Sequence, residues 1–182
     1  MDSNEVNMVV GKVSGMFFHA PLTAETTFPA YPGDTLGPEW KEVGFVSEEG
    51  PTLTPFGSTE KIKAWSKEIV RQFQSAQGKV KAKIISTTEE SLKTVFGDAV
   101  STTPASTDHG KLVEADFSKG PTSTREAFLF VSEDGDDSMM LLCESGIVSE
   151  IEDVPFTPSE ALAWGITIEG DWKFVKDDGQ KA

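Results

Sequence analysis

Residues 40–50 read Trp-Lys-Glu-Val-Gly-Phe-Val-Ser-Glu-Glu-Gly, and residues 58–65 read Ser-Thr-Glu-Lys-Ile-Lys-Ala-Trp. In the first segment, β-branched and aromatic side chains precede Glu48-Glu49-Gly50, a polar run typical of a turn. In the second segment the residues alternate, with lysine and tryptophan on one face and Ile62 and Ala64 on the other, as in a half-exposed strand. The two segments together predict a β unit.

The rest of the chain continues in the same way. Short apolar or alternating segments, bounded by Gly, Pro, Asn and Asp, predict further strands, and the Asp-Gly turn within 133–137 predicts a hairpin. The predicted strands outside residues 40–50 are 8–18, 60–66, 68–75, 78–87, 111–117, 125–132, 138–145, 146–152, 161–168 and 172–175.

One segment predicts a helix over 88–96. Thr87 and Glu90 stand at the spacing of a capping box, and acidic residues occupy the first turn. The apolar residues that follow fall on one face, and Gly97 ends the helix. We expect this helix to lie against the sheets.

Two segments lack a regular pattern. Residues 20–39 contain four prolines and two glycines, which predicts a long loop or arm that contacts a neighbouring copy. Residues 176–182 are expected to fray. A chain of 182 residues suits one buried core, so we expect a single domain, 1–182. The predicted fold is mainly β: a β-sandwich or curled barrel of two packed sheets with one short flanking helix.

The charge is acidic and unevenly distributed. The chain has 30 acidic and 16 basic residues, a net charge of −14, and 18 of the acidic residues but only 7 of the basic ones fall in 91–182. Binding to duplex DNA needs clustered Lys and Arg, so this composition argues against a DNA-binding protein. It argues equally against docking on an anionic membrane. An acidic surface favours solubility, and the charge by itself indicates no more than this. We also expect no membrane-spanning segment and no signal peptide.

No motif for catalysis or metal binding stands out. Cys143 follows an apolar run, which predicts a buried thiol, and neither His19 nor His109 has a spacing that ties it to this cysteine. The acidic turn 133–137 lacks the spacing of an EF-hand loop. We therefore expect no catalytic residue, no cofactor and no metal, and a chain that is not an enzyme.

Large aromatic side chains are the candidates for contact. Each removes a large apolar area from water, so such residues anchor cores and interfaces, although four tryptophans can also form a platform for sugars. The candidate core or interface anchors are Trp40, Phe45, Trp65, Phe96 and Trp164.

Basic residues are concentrated in 60–83, where seven of them accompany two acidic residues. Like charges on neighbouring strands are unfavourable unless solvent screens them or an acidic partner faces them. Both interpretations stay open: a solvated face, or pairing with the acidic half of another subunit. The candidate inter-subunit basic residues are Lys61, Lys63, Arg71, Lys79, Lys81 and Lys83.

The chain resembles the major tail tube proteins of long non-contractile-tailed, siphovirus-type bacteriophages, especially those that infect actinobacteria. The resemblance rests on the 40–50 motif, the Lys-Ala-Trp strand that ends at Trp65, Arg71 in the return strand, and the amphipathic helix that ends in Phe96-Gly97. It covers about Gly11 to Asp98, and beyond this only the succession of strands. These are packing and turn residues, so they indicate a family and no active site.

This resemblance implies a structural virion protein assembled in the host cytoplasm. It implies hexameric rings stacked into a hollow tube that conducts genomic DNA, with a tape measure protein, a tail terminator and a distal tail protein as further partners. An acidic lining would repel the phosphates, so DNA would pass as cargo without specific binding. The candidate lumen-facing acids are Glu114, Asp116, Glu126, Glu150 and Glu152. We expect 20–39 and 48–58 to be mobile in the monomer and ordered in the tube.

Two other classes of function remain open. A β-sandwich module that binds carbohydrate or a cell surface would need exposed, coplanar aromatic rings. A β-sandwich hydrolase would need two carboxyl groups in a cleft, with the pKa of one of them raised.

Overall fold

A computed structural model of the chain describes residues 17–55, 59–64, 67–73, 77–119, 124–134, 137–158 and 161–179. The described fold is mainly β, with one short α-helix, α1 (Glu89–Phe96). The strands are β1 (Phe17–Pro21), β2 (Lys41–Gly44), β3 (Thr52–Thr54), β4 (Thr59–Ala64), β5 (Lys67–Phe73), β6 (Gly78–Ile84), β7 (Val100–Thr103), β8 (Leu112–Ala115), β9 (Glu126–Asp134), β10 (Asp137–Ile151) and β11 (Trp164–Asp177).

Seven of these strands form one antiparallel sheet in the order β2-β1-β9-β10-β11-β6-β3. The sheet curls strongly, because an isolated bridge joins Val46, just beyond β2, to Ile84 at the end of β6. In a flat sheet these strands would be about 24 Å apart, five spacings of about 4.8 Å. Hydrogen bonds from Ser47 N to Lys83 O (2.8 Å) and from Ile85 N to Phe45 O (3.0 Å) hold this contact.

The main core fills the concave side of the curl. Its largest buried side chains come from β1, β2, β6, β9, β10 and β11, and Val95 of α1 joins them. Phe17 stacks on Phe130 with ring centroids 4.2 Å apart and planes at 4°. Since residues from both ends of the sheet share this core, burial of apolar area stabilises the curled shape. The prediction of a mainly β fold is confirmed, but the sheet stays open and does not close into a barrel.

A second buried cluster lies on the opposite face of the sheet. It is built by Ala127, Leu129 and Val131 of β9, Met140 and Leu142 of β10, and Ala20 and Trp40. The half-buried Leu36 also packs against it, so the irregular segment 22–40, here called the arm, covers this face. Strand β9 is therefore buried on both faces, which explains why its sequence is a continuous apolar run.

The N-cap of helix α1 lies one residue later than predicted. Thr88, not Thr87, is the N-cap: its hydroxyl accepts a hydrogen bond from Ser91 N at 3.1 Å, and Ser91 Oγ accepts one from Thr88 N at 2.7 Å. Serine replaces glutamate in this capping box, a variant that the Thr87–Glu90 spacing does not reveal. The helix ends at Gly97, whose φ is +56°, as predicted.

Several predicted boundaries are wrong. Residues 52–54 form edge strand β3 and residues 100–103 form β7, and neither is among the predicted strands. The predicted strands 138–145 and 146–152 are one strand, because Gly146 allows a bulge instead of a break. Lys176 and Asp177 belong to β11 and do not fray, since Lys176 forms an ion pair with Asp137 at 2.9 Å. Most of the predicted strand 8–18 lies outside the described residues.

Candidate functional site

The predicted aromatic anchors lie in different environments. Trp40 is 7% exposed and donates a hydrogen bond from Nε1 to Thr27 O at 2.8 Å, which fixes the arm. Phe45 is 54% exposed, so it has the surface position of an interface residue. Phe96 and Trp164 are half-buried and meet edge to face, with centroids 5.3 Å apart. Trp65 lies outside the described residues.

The lysines of β6 alternate with its buried apolar residues, as the sequence predicts. Lys81 and Lys83 are exposed, while Val80, Ala82 and Ile84 are buried. Lys79 pairs with Glu169 on the neighbouring strand, and this contact raises the pKa of Lys79. One of the predicted inter-subunit cations therefore has a partner within its own chain.

Two of the predicted lumen-facing acids lie close to these lysines. Glu150 is exposed and accepts a hydrogen bond from the Thr167 hydroxyl at 3.3 Å. Glu152 is exposed and lies with Lys81 and Lys83 around the same surface depression of about 180 Å³. Carboxylates and lysines thus lie side by side on this part of the surface, so their charges partly cancel there.

The other predicted acids are spread over three elements. Glu114 is exposed on β8, and Asp116 accepts hydrogen bonds from Ser118 N (3.0 Å) and Oγ (2.6 Å) in a local turn. Glu126 begins β9 and is half-buried beside His19. The five acids therefore lie on β8, on β9, at the end of β10 and in the turns that follow β8 and β10.

The largest cavity described, about 500 Å³, lies between α1 and strands β1, β9 and β10, and we call it the α1 cavity. His19 is 6% exposed and lies in its wall. Its Nδ1 is 2.8 Å from Glu126 Oε2, while Nε2 is buried with no hydrogen-bond partner, 3.5 Å from Glu90 Oε2. The sequence shows no motif here, because strand pairing brings His19 and Glu126 together across 107 positions.

The wall of the α1 cavity carries an excess of carboxylates. Two lysines, Lys41 and Lys93, accompany four acidic residues: Glu39, Glu90, Asp98 and Glu126. Lys93 is engaged by its own helix, 2.6 Å from Glu89 and 3.8 Å from Glu90, and the contact with Glu89 raises its pKa. The cavity therefore presents a negative surface with an apolar floor that includes Val95 and Phe128.

Ion pairs and hydrogen bonds fix the helix that bounds this cavity. Glu89 pairs with Lys111 and Lys93, and these contacts, that of Lys111 first, lower its pKa to about 2. Lys111 lies between β7 and β8. The β7–β8 hairpin thus holds the first turn of α1 in place.

Strands β2 and β3 form the two edges of the seven-stranded sheet, and β4 and β5 pair only with each other among the described strands. Sheet edges and isolated hairpins offer unpaired backbone groups to other chains. Lys61, Lys63 and Arg71 lie on this hairpin, with Lys61 opposite Arg71 in the backbone register.

The described residues show few of the features of a catalytic site. Cys143 is buried, and burial raises the pKa of its thiol to about 11. The two carboxyl groups with a shifted pKa, Glu39 and Glu89, are both shifted downward, the opposite of a general acid. Among these residues no group of three His, Cys, Asp or Glu side chains could hold a metal ion, and no helix is long and apolar enough to cross a membrane.

The fold and its surfaces define a class, a mainly β protein with open sheet edges and a separate β-hairpin, of the kind that assembles with other chains. The chain matches the family described as phage tail tube protein over residues 1–171. It belongs to this family and is a structural component of the tail of a virion. No curated protein matches the chain.

Proposed function

We propose that this protein is the repeating subunit of a tail tube in which hexameric rings stack around a channel for genomic DNA. The match to the tail tube family over residues 1–171 carries this proposal. The sequence resembles the tail tube proteins of siphovirus-type phages that infect actinobacteria, and this resemblance refines the proposal. The subunit then assembles in the host cytoplasm and has no catalytic role. The tape measure, tail terminator and distal tail proteins are the proposed neighbours at the tube ends and in its lumen.

The open sheet supports ring formation. β2 and β3 each leave one side without a partner strand in the described part of the chain. Placing such edges side by side around a ring satisfies their backbone groups and removes the risk of uncontrolled pairing. A head-to-tail contact between rings then propagates without closing, which gives a tube of open length.

The net charge of −14 supports a role for DNA as cargo. Each Lys or Arg that contacts a phosphate releases counterions and strengthens binding, so a basic channel would retain the duplex. We propose Glu114, Asp116, Glu150 and Glu152 as lumen-facing acids. Glu126, the fifth candidate, also lies in the wall of the α1 cavity.

Two features of the described residues weigh against the alternative functions. Trp40 is buried, and Trp164 and Trp172 are half-buried, so these three do not form an exposed platform for a sugar. A hydrolase that uses two carboxylates needs one with a raised pKa, whereas Glu39 and Glu89 are shifted the other way.

Electron microscopy of the purified protein over a range of concentrations tests the proposal. We expect six-fold rings at low concentration and hollow tubes at high concentration. Those tubes should retain no duplex DNA in a co-sedimentation assay at about 150 mM salt, where charges are screened beyond about 8 Å. Persistent monomers that bind glycans, or turnover of a glycoside, would refute the proposal. A channel that retains DNA would refute its acidic lining alone.

A further inference from the structure

The ring of His19 has one nitrogen without a partner in the wall of the α1 cavity. His19 is 6% exposed, and its Nδ1 lies 2.8 Å from Glu126 Oε2, so the ring donates a hydrogen bond to this carboxylate. In a neutral ring the other nitrogen, Nε2, then carries a lone pair and acts as an acceptor. Nε2 is buried and finds no hydrogen bond among the described residues, which is unfavourable for a polar atom.

A second acceptor faces this atom. Glu90 Oε2 on α1 lies 3.5 Å from Nε2, with no described donor between the two. Because the two acceptors are 3.5 Å apart, an ammonium nitrogen can lie about 2.9 Å from both, the length of a charge-assisted hydrogen bond. Nε2 is covered, so such a donor reaches it as the Glu90 side chain, which is 36% exposed, turns aside. The pair of acceptors therefore indicates a site for a positively charged donor.

The lysines in the wall of the α1 cavity are engaged elsewhere. Lys93 Nζ lies 2.6 Å from Glu89 and 3.8 Å from the other oxygen of Glu90, and Lys41 Nζ donates to Pro38 O at 3.0 Å. The wall has four acidic residues against these two lysines. The excess of carboxylates attracts a cation from outside the chain.

The rest of the lining indicates which kind of cation fits. In the described part of the chain no group of three His, Cys, Asp or Glu side chains could hold a metal ion, whereas an ammonium group needs only hydrogen-bond acceptors. The lining also includes Val95, Phe128, Ile147 and Val148, an apolar surface that suits a hydrocarbon stem. A primary ammonium group on an unbranched hydrocarbon stem combines both properties.

We infer that the α1 cavity binds a small aliphatic amine, with its ammonium group between Glu90 Oε2 and His19 Nε2 and its stem along the apolar lining. Glu126 holds the ring in the tautomer that presents Nε2 as an acceptor, and it adds a second negative charge. This inference goes beyond the proposed function and does not depend on it, because all of these residues belong to one chain.

NMR spectroscopy of protein with ¹⁵N-labelled histidine tests the site at Nε2 itself. The chain has two histidines, and the exposed His109 serves as an internal reference. n-Butylammonium is titrated into unassembled protein at about pH 7.5 and constant ionic strength, where a free histidine is mainly neutral. We expect a saturable shift of the His19 Nε2 signal and little change at His109. Tetramethylammonium has the same charge but no N–H donor, so it should give less than about a tenth of this shift.

Matched charge variants test the two carboxylates. Glu90→Gln and Glu126→Gln should each weaken butylammonium binding about tenfold or more, the equivalent of about 1.4 kcal/mol. Glu114→Gln removes the same charge on β8, outside the wall of the α1 cavity, and should bind like the wild type. Circular dichroism checks that every variant is folded, and the wild-type titration needs no variant.

Several results would overturn the inference. Ring nitrogens of His19 with the shifts of an imidazolium before any ligand is added would mean that Nε2 already donates to Glu90. Equal shifts with both ammonium ions, or equal affinities of Glu90→Gln and Glu114→Gln, would show only general attraction by an acidic surface. Loss of butylammonium binding in assembled tubes would assign the site to a protein lysine instead of a free amine. A protein that binds the amine but forms neither rings nor tubes would refute the proposed function and support this site.

Discussion

Trp40 is the residue that attaches the arm to the convex face of the sheet, and two substitutions separate its two contributions. Its ring is 7% exposed in the cluster with Leu129 and Leu142, and its Nε1 donates to Thr27 O at 2.8 Å. Burial of a tryptophan removes about 200 Å² from water, worth about 5 kcal/mol at 25 cal/mol per Å². Alanine retains part of this contact, so we expect Trp40→Ala to cost about 4 kcal/mol.

Trp40→Phe keeps most of the packing and removes only the donor. Thr27 is exposed, so water can replace the lost hydrogen bond and the expected cost is about 1 kcal/mol. In a chain of this length, 1 kcal/mol shifts the Tm by about 2–4 °C. We therefore expect a loss of about 2–4 °C for phenylalanine and about 8–16 °C for alanine, measured by circular dichroism on unassembled protein.

Hydrogen exchange then reports on the arm itself. In the phenylalanine variant, faster exchange should be confined to the arm around Thr27, whose N and Oγ1 also donate to Glu39 at 2.9 and 2.7 Å. The reasoning would be refuted if Trp40→Ala lowered the Tm by less than about 3 °C, or if the arm exchanged equally in both variants and the wild type. The same experiment on unassembled protein and on tubes tests the expectation that residues 20–39 exchange more slowly after assembly.

Three further predictions concern the helix and the sheet. The pKa of Glu89 is lowered to about 2 from an ordinary 4.5, so its ion pairs stabilise the fold above pH 4.5, and this contribution is lost as the pH falls towards 2. Glu89→Gln should flatten stability against pH in this window, and an unchanged acid limb in urea unfolding would contradict the assignment. Thr88→Ala should cost about 1 kcal/mol as the loss of the N-cap, whereas Thr87→Ala should cost less than half of this in the same assay. A Cβ at Gly170 would lie 2.7 Å from Ser145 O, so Gly170→Ala should destabilise the protein by about 1–3 kcal/mol in urea unfolding; wild-type stability would show that the bulge can relax.

The β character of the chain was predictable because strand periodicity is local. Lys79, Lys81 and Lys83 alternate with buried residues as their sequence indicates. Strand boundaries were harder to predict where one residue can have two roles. Gly146 is typical of a strand end, but in this sheet it allows a bulge, and a Cβ at this position would lie 3.0 Å from Phe128. The curl was not predictable, because the Val46–Ile84 bridge joins distant segments.

The candidate site divides in the same way. The basic content of the β4–β5 hairpin and the acidity of the chain are compositional, so both were visible in the sequence. The α1 cavity was not, because its walls come from α1 and three strands, and His19 shows no motif of its own. The Lys79–Glu169 contact was also hidden, since it depends on the pairing of β6 with β11.

The burial of β9 on both faces has a consequence for folding fidelity. When one face of a strand meets water, a shift of one residue exposes its apolar side chains and is rejected. Between Ala127 and Val131 both faces are apolar, so a shifted pairing would expose little and must be rejected by shape. Phe128 and Phe130 fit beside Phe17, whereas Ala127 lies on the other face with Ala20. The order of large and small side chains, rather than of apolar and polar ones, protects β9 from pairing out of register.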